Sequence, residues 1–377
     1  MIIGIPKETL PGERRVALTP DAAAKLVKGG VTVRLEKGAG TSAGFPDSAY
    51  AAVGVAVVER ADAWAADIVT KVQRPLANAG ADELQMLKAG SVLVGLLQPL
   101  TQAALMRQIA ERQVTAFALE VLPRITRAQS MDVLSSMATV AGYRAVLLAA
   151  QATGRFFPML VTAAGTIPPA RVLVLGAGVA GLQAIATARR LGAVVEAFDV
   201  RAAVKEQVES LGATFIQADV RAEGEGGYAK ELSKDQHEQE LALIRAHLKT
   251  TDAVICTAQI PGRKAPELIT ADMVKELKPG SVIIDLAAES GGNCAATVPG
   301  QDVTRDGVVI VGPLNVAASM PTHASQMYAR NVASFLALIV KEGKLNLDFA
   351  DQIVKETCIT RDGQVVHEAT KKAAGAA

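Results

Sequence analysis

Three glycines near the middle of the chain have the spacing of a phosphate-binding turn. The stretch RVLVLGAGVAGLQAIATARRLGAVVEAFDVR predicts a strand, a turn, a helix beginning at Val179 and a second strand. Gly176 would permit the tight turn, Gly178 would let the backbone approach a pyrophosphate, and Gly181 would allow close helix packing. The amino terminus of the helix attracts phosphate charge. The second strand ends at Asp199, so the unit predicts a dinucleotide site.

The acid at the end of the second strand predicts which dinucleotide binds. A carboxylate in this place accepts hydrogen bonds from the adenosine ribose of NAD(H). The charge of Asp199 would also repel the 2′-phosphate of NADP(H), although Arg201 nearby tempers that inference. Because turn, helix start, unit length and acid coincide, we predict NAD(H) as the cofactor.

Two further glycine-containing segments follow predicted strands, and loops at the carboxyl ends of strands line the ligand crevice in such sheets. In RAEGEGGYAK, at 221–230, Gly227 and Tyr228 are candidate nucleotide contacts. This segment could be a lid that closes on the nucleotide, and the alternative is a solvated surface loop. The other segment is AQIPG, at 258–262, which makes Gln259 a further candidate.

Strand patterns place the nucleotide site in the second of two sheets. Short β-branched runs alternate with helical stretches, which is typical of parallel sheets covered by helices on both faces. The first sheet is predicted from MIIGIP, VTVRLE, DIVTKV, SVLVGLL and VTAFAL, with DAAAKLVKGG and DELQMLKAG as helices. The second sheet is predicted from six strands, namely RVLVLG, VVEAFD, TFIQ, DAVICT, SVIIDL and VVIVG.

Two long helical runs predict how the domains are connected. A run at 131–152 would carry the chain into the second domain, and an amphipathic run at 321–342 would lead it back to the first. We therefore predict an α/β protein of two doubly wound, Rossmann-like domains with parallel sheets, the first of them discontinuous. The first domain would comprise 1–135 plus 319–377, and the NAD(H)-binding domain 136–318.

Composition excludes several classes of function. With a formal net charge of +1 and 3% aromatic residues, the chain lacks the basic surface and stacking platform of a nucleic-acid-binding protein. The three cysteines are far apart and the four histidines lack ligand spacing, so we expect neither a disulfide framework nor a metal site. The start does not resemble a signal peptide, and polar residues interrupt the longest apolar region, 140–164. We expect a chain that is soluble by itself, without direct membrane insertion.

Several segments resemble the NAD(H)-binding component, the soluble part of the alpha subunit, of proton-translocating nicotinamide nucleotide transhydrogenase. The most specific are PRITRAQSMDVLSSMATVAGYRA and TAAGTIPPARVLVLGAGVAGLQAIATARRLGA. Further agreement covers most of the chain, at IPKE with RRVALTP, KVQRP, VKEQVESLGA, GGYAKE and IDLAAESGGN.

The resemblance implies functional roles for a short segment before the run at 131–152. It implies an invading loop at the interdomain cleft, with Arg124 near the pyrophosphate and Asp132 near the nicotinamide carboxamide. Ser135 would assist Asp132, and Gln129 would reach towards a second nucleotide on a separate NADP(H)-binding component.

The same resemblance makes Ser130 and Met131 nucleotide contacts and places Tyr228 in a mobile lid. Considered without the resemblance, Arg124, Arg127 and Asp132 could instead be ordinary interdomain ion pairs.

Alanine dehydrogenase, which shares this architecture, is the nearest competing interpretation. Arg15 and Lys71 match its substrate-binding arginine and lysine, and they could be structural remnants here. Its acid–base histidine, however, is replaced by Gln98, and its catalytic aspartate corresponds to Glu289. An amide cannot take the proton that amino-acid oxidation releases, whereas hydride transfer between two nicotinamides needs no general base.

The sequence thus predicts an oxidoreductase that passes hydride between NADH and NADP+ held on a partner, with proton translocation in a membrane-spanning component. Orientation and exclusion of water would supply much of the catalysis. We expect a homodimer in the cytoplasm, held peripherally at the inner membrane by its partner. An amino-acid dehydrogenase, a non-catalytic NAD-sensing module and a purely structural subunit remain open alternatives.

Overall fold

The computed structural model describes residues 1–78, 81–217, 233–260, 262–373 and 375. The chain divides into two compact units, Met1–Met137 with Ala318–Ala377 and Ala138–Ala317. The first unit is therefore assembled from two stretches that are far apart in the sequence.

The first stretch alternates strands with mostly short helices. Its strands are β1 (Ile2–Ile5), β2 (Thr32–Glu36), β3 (Ala56–Val58), β4 (Ile68–Gln73), β5 (Ala77–Asn78), β6 (Ala81–Asp82), β7 (Val92–Leu96) and β8 (Thr115–Ala118). Its helices are α1 (Pro20–Lys28), α2 (Asp47–Ala51), α3 (Arg60–Trp64), α4 (Glu83–Met86) and α5 (Ala103–Glu111).

A long helix, α6 (Val133–Ala152), leads into the second unit, which has the same alternation. The strands there are β9 (Leu160–Thr162), β10 (Gly165–Ile167), β11 (Arg171–Leu175), β12 (Val194–Phe198), β13 (Thr214–Ile216), β14 (Ala253–Cys256), β15 (Val282–Asp285), β16 (Asp302–Arg305) and β17 (Val308–Val311). The helices are α7 (Val179–Arg190), α8 (Lys205–Ser210), α9 (Lys234–Leu248) and α10 (Ala271–Lys275).

The chain then completes the first unit. This last stretch contains α11 (Pro321–Ile339), β18 (Val340–Lys341), β19 (Lys344–Leu345), α12 (Gln352–Thr357), β20 (Cys358–Arg361), β21 (Gln364–Val365) and α13 (Glu368–Ala373). Pro321 occupies the first turn of α11, where its missing N–H costs no hydrogen bond. Tyr328, Val332, Phe335 and Ile339 recur on one buried face of α11, and this spacing fixes the helix against the core.

In the described part of the first unit, eight strands form a sheet in the order β21-β20-β8-β7-β4-β1-β2-β3. The six strands from β8 to β3 pair in parallel. Side chains alternate between its faces: Val92 and Val94 of β7 join one apolar cluster, and Leu93 joins the other. Both faces are therefore covered, as parallel sheets require.

The sheet of the second unit has the order β13-β12-β11-β14-β15-β17-β16 in the residues described. Its first six strands are parallel and are the six that the sequence predicts. Val172 and Val174 of β11 pack on one face, and Leu173 and Leu175 pack on the other. The prediction of two doubly wound α/β units is confirmed.

Three differences from the predicted elements have simple physical causes. The sheets are not wholly parallel, because β16 and the pair β20–β21 run antiparallel at the edges. These strands are short and β16 is largely exposed, so they lack the apolar runs of the central strands. The predicted helix at 82–90 shrinks to the single turn of α4, and the helix predicted at 321–342 ends at Ile339.

Among the described helices, α6 is long and apolar enough by length and composition to cross a membrane. Buried helices of globular proteins pass the same test, so this is weak support for a span. Ala145, Val146 and Ala149 of α6 belong to the apolar core of the second unit.

Candidate functional site

The glycine turn joins β11 to α7 at the carboxyl edge of the second sheet. Gly176 has a φ of 95°, a left-handed conformation that disfavours side chains. A Cβ on Gly181 would stand 1.8 Å from the carbonyl oxygen of Gly176, so helix and turn pack too closely for any other residue. Thr257, which follows β14, donates its hydroxyl to the carbonyl oxygen of Gly176 at 2.9 Å. Backbone geometry and packing therefore require glycine at both positions.

Gly178 differs from the other two glycines. Its φ of −77° and ψ of −166° are extended backbone, open to any residue. No atom of the described residues lies within 4 Å of the position that a Cβ would occupy. Neither its own conformation nor its described neighbours require glycine there.

Gly178 also begins α7, a helix of 12 residues. No side chain of the described residues caps this helix start, and Val179 is 44% exposed. The first N–H groups of a helix carry a partial positive charge and favour anionic groups. The turn thus combines open space with phosphate-binding potential.

Asp199 follows β12, beside the glycine turn. Its carboxylate accepts a hydrogen bond from the backbone N–H of Ala177 at 2.7 Å and forms an ion pair with Arg201 at 2.6 Å. The Asp199 side chain is 5% exposed. The predicted ribose acceptor is therefore in place at the turn, and Arg201 contacts it directly.

Gln259 stands in the loop after β14, the strand that neighbours β11. It is exposed and donates its amide N–H to the carbonyl oxygen of Leu286 at 2.7 Å. The predicted contacts Gly227 and Tyr228, and the lid segment 221–230, lie outside the described residues, as does Pro261.

Two polar residues that the sequence analysis missed hold this loop. Asn293 donates to the carbonyl oxygens of Ala258 and Pro266 and accepts from the N–H of Ala258. Asp285, fully buried at the end of β15, accepts hydrogen bonds from the N–H groups of Asn293 and Cys294 and from the hydroxyl of Thr297. The pairing of a strand-end aspartate with GGN eight residues later was the available signal.

The segment with the other predicted contacts forms a 3-10 helix, Thr126–Met131, in the first unit. Ala128 and Met131 are buried in the core of that unit. Arg124, Gln129 and Ser130 are exposed. Apolar anchors therefore turn inwards, and the polar candidates turn out to solvent.

Contacts within the first unit fix this segment further. Arg127 makes a two-pronged ion pair with Asp351 at 2.6 and 2.8 Å, and Asn331 donates to the carbonyl oxygen of Ser130 at 2.8 Å. Because Arg127 and Asp351 belong to one unit, the alternative that Arg127 forms an interdomain pair is wrong. The guanidinium holds the pKa of Asp351 down to about 2.

Asp132 and Ser135 are brought together as expected from the resemblance, although their contact also has a purely structural role. The Asp132 carboxylate accepts from the N–H of Ser135 at 2.9 Å and from its hydroxyl at 2.5 Å. Asp132 thereby caps the start of α6, which is a common use of aspartate at that position.

Arg15 and Lys71, which match the alanine dehydrogenase substrate residues, are both buried in ion pairs. Arg15 donates Nε and Nη2 to the two carboxylate oxygens of Glu13 at 2.7 and 2.6 Å. The ammonium of Lys71 lies 3.2 Å from both Glu8 and Glu83. Burial raises the pKa of Glu8, and the charge of Lys71 opposes that rise. Each cation already has a carboxylate partner inside the protein.

Gln98, at the position of the missing histidine, has a φ of 55° and an exposed side chain. Its N–H donates to Glu120 Oε1 at 2.5 Å. Glu289 is exposed as well and accepts a hydrogen bond from the N–H of Asn315. Neither Gln98 nor Glu289 is paired with a histidine in these contacts.

Other chemistries find little support in the described residues. Cys256, Cys294 and Cys358 are free thiols and all are buried. Burial raises the pKa of Cys294 to about 11 and that of Cys358 to about 12, so these thiols stay protonated near neutrality. Within the described ranges, no group of three or more His, Cys, Asp or Glu side chains could hold a metal ion.

The geometry of the second unit defines a class of protein. A doubly wound sheet, a glycine turn, an open helix start and an acid after the next strand form the dinucleotide-binding unit of α/β proteins. Residues 4–141 match the N-terminal domain and residues 145–368 the C-terminal domain of the alanine dehydrogenase/PNT family. The chain belongs to this family.

Individual relatives place the chain within the family. It is 51% identical over 378 residues to the first of the parts into which the NAD(P) transhydrogenase alpha subunit of Rhodospirillum rubrum is divided, with 98% of each chain covered. The crystal structure of transhydrogenase from Sinorhizobium meliloti superimposes with a TM-score of 0.89 at 45% identity, covering 97% of this chain and 100% of that one. Alanine dehydrogenase of Bacillus subtilis is 29% identical over 386 residues, covering 100% of this chain and 95% of its own. The resemblance to transhydrogenase is confirmed, and the chain is an oxidoreductase component.

Proposed function

We propose that the second unit binds NAD(H) at the turn 176–181 and that the bound nucleotide exchanges hydride with NADP(H) on a partner component. The observation that carries this proposal is Gly178. Its conformation and its described surroundings do not account for a glycine, whereas a pyrophosphate at the start of α7 would account for it, since a side chain would occupy the phosphate position.

The first unit contributes the polar face of the segment 124–135. We propose that Arg124 serves the pyrophosphate, Asp132 with Ser135 the nicotinamide carboxamide, and Gln129 the second nucleotide, with Ser130 and Met131 as further contacts. The anchoring of this segment by Ala128, Met131 and Arg127 supports the proposal, because a positioning segment has to be rigid.

Bound NADH supplies the hydride, and no residue needs to move a proton at the reacting carbon. The chain agrees with this chemistry, since Gln98 offers no proton acceptor where alanine dehydrogenase has its histidine. Arg15 and Lys71 are neutralised by buried glutamates, which disfavours capture of a substrate carboxylate. These contacts favour the transhydrogenase function over amino-acid oxidation.

We propose that proton translocation resides in a membrane-spanning partner and that the chain works as a homodimer, bound peripherally to the cytoplasmic face of the inner membrane. The naming of its relatives as one subunit, or a portion of a subunit, of NAD(P) transhydrogenase supports the need for partners. The NADP(H) site would lie on one of those partners.

Gly178→Ala tests the nucleotide site, with Gly154→Ala as its matched control. Gly154 lies in the same unit, is exposed, and also has no described atom near its Cβ position. We expect Gly178→Ala to weaken NADH binding at least about tenfold, because the methyl group displaces the pyrophosphate. Gly154→Ala should bind NADH like the wild type.

Both variants should unfold at the wild-type temperature. NADH fluorescence titration and thermal unfolding measure the two properties separately. Equal NADH affinity in Gly178→Ala and the wild type would contradict the proposed site.

A further inference from the structure

The contact between Asp199 and Arg201 has a consequence for nucleotide selection. The Asp199 carboxylate accepts four hydrogen bonds. Oδ1 accepts from the backbone N–H of Arg201 at 2.9 Å and from its Nε at 2.8 Å. Oδ2 accepts from the N–H of Ala177 at 2.7 Å and from Arg201 Nη2 at 2.6 Å.

A carboxylate offers about four lone-pair positions, so these contacts leave Asp199 no spare acceptor. Two of the donors are backbone N–H groups that belong to the turns on either side of the site. The other two belong to the Arg201 side chain, which is 19% exposed over a carboxylate that is 5% exposed. Only the side-chain donors can leave without a change in the backbone.

We infer that Arg201 is a specificity-determining residue whose guanidinium competes with the adenosine ribose for the Asp199 carboxylate. A ribose presents two neighbouring hydroxyls, and release of Arg201 frees two acceptor positions. NADH binding exchanges the two side-chain bonds for the two hydroxyl bonds and leaves the backbone bonds intact. This inference rests on the proposed NAD(H) site.

The same exchange affects the discrimination against NADPH. Once released, the guanidinium is a partner for a 2′-phosphate, which arginine binds with two parallel hydrogen bonds. Without Arg201, the surroundings would be acidic, because Glu240 of α9 is buried near Asp199. Burial and the Asp199 charge both raise the pKa of Glu240, and the partner His237 lowers it to some extent. Arg201 therefore weakens NADH binding and assists NADPH binding.

Arg201→Met, which keeps most of the side-chain length without its charge, tests this inference. We expect NADH to bind about tenfold more tightly and NADPH more weakly than in the wild type. The gain should be smaller with 2′-deoxy-NADH, which offers one hydroxyl fewer to the freed carboxylate. Arg171→Met, which removes a cation paired with Glu196 in the same unit, controls for the change in net charge.

The outcomes separate the two proposals. Wild-type protein that binds NADH, together with unchanged or weaker NADH binding in Arg201→Met, overturns the competition and leaves the NAD(H) site standing. An equal gain for NADH and 2′-deoxy-NADH overturns it as well. Failure of both folded proteins to bind NADH overturns the proposed function and this inference with it. Fluorescence titration measures each affinity, and circular dichroism checks the fold.

Discussion

Glu120 provides a pH-dependent test of the first unit. It lies just after β8, where Oε1 accepts the N–H of Gln98, whereas Oε2 is buried and has no hydrogen-bond partner among the described residues. Burial raises its pKa from 4.5 to about 7, although N–H groups of Gln98, Glu120 and Leu97 partly offset the rise. The folded protein therefore holds a proton on Glu120 in a pH range where the unfolded chain has lost it.

The sign and size of the effect follow from this difference in pKa. Because the folded state binds more protons between pH 4.5 and about 7, the free energy of unfolding falls as pH rises through that window. A difference of about 2.5 pKa units corresponds to about 3 kcal/mol. The loss should level off above pH 7. Glu120→Gln cannot ionise, so the variant should lack this fall and gain up to about 3 kcal/mol relative to the wild type between pH 4.5 and pH 8.

The single tryptophan of the chain makes the measurement specific to the first unit. Trp64 is fully buried there, so its fluorescence during urea unfolding reports that unit. Urea midpoints of wild type and Glu120→Gln are compared at pH 5 and pH 8, with the exposed Glu111→Gln of α5 as the control for losing one carboxylate. A difference between Glu120→Gln and wild type that is the same at both pH values would refute the reasoning.

Two further predictions concern hydride transfer. Gln129→Asn shortens the proposed reach by one methylene and should slow transfer to NADP+ on the partner about a hundredfold with NADH affinity preserved, whereas Arg124→Ala should weaken NADH binding itself. Transient kinetics beside NADH titration decide this, and a wild-type transfer rate in Gln129→Asn would contradict the bridging role. Because Gln98 cannot accept a proton, the chain should not oxidise alanine with NAD. Sustained formation of pyruvate and NADH would count against the transhydrogenase function.

The central strands were predictable because their apolar runs reflect burial on both faces. Val172 to Leu175 are buried in two separate clusters, and a short β-branched run of this kind is typical of a strand covered on both sides. The edge strands were not predictable, since the Asp302–Arg305 strand is short and largely exposed, and its pairing depends on a neighbouring strand rather than on its own composition.

The candidate site was predictable where local chain geometry determines it. Gly176 and Gly181 follow from the turn itself, and their spacing is visible in the sequence. Contacts between distant positions were not visible. Arg127 meets Asp351 across 224 residues, and Asn293 holds the loop at Ala258 across 35. Pairings of this kind depend on the folded arrangement, so no local pattern announces them.

The discontinuity of the first unit also bears on the order of folding during synthesis. Phe117 of β8 packs against Phe335 of α11, and Thr360 of β20 bonds the backbone of β8. These partners leave the ribosome only after the whole of Ala138–Ala317 has been made. At translation rates of about 5–20 residues per second, that wait lasts on the order of 10 to 40 s. The nucleotide-binding unit, although second in the chain, has all of its residues first. The nascent amino-terminal stretch meanwhile presents the edge of β8 without β20, and it is the region of this protein most in need of a chaperone.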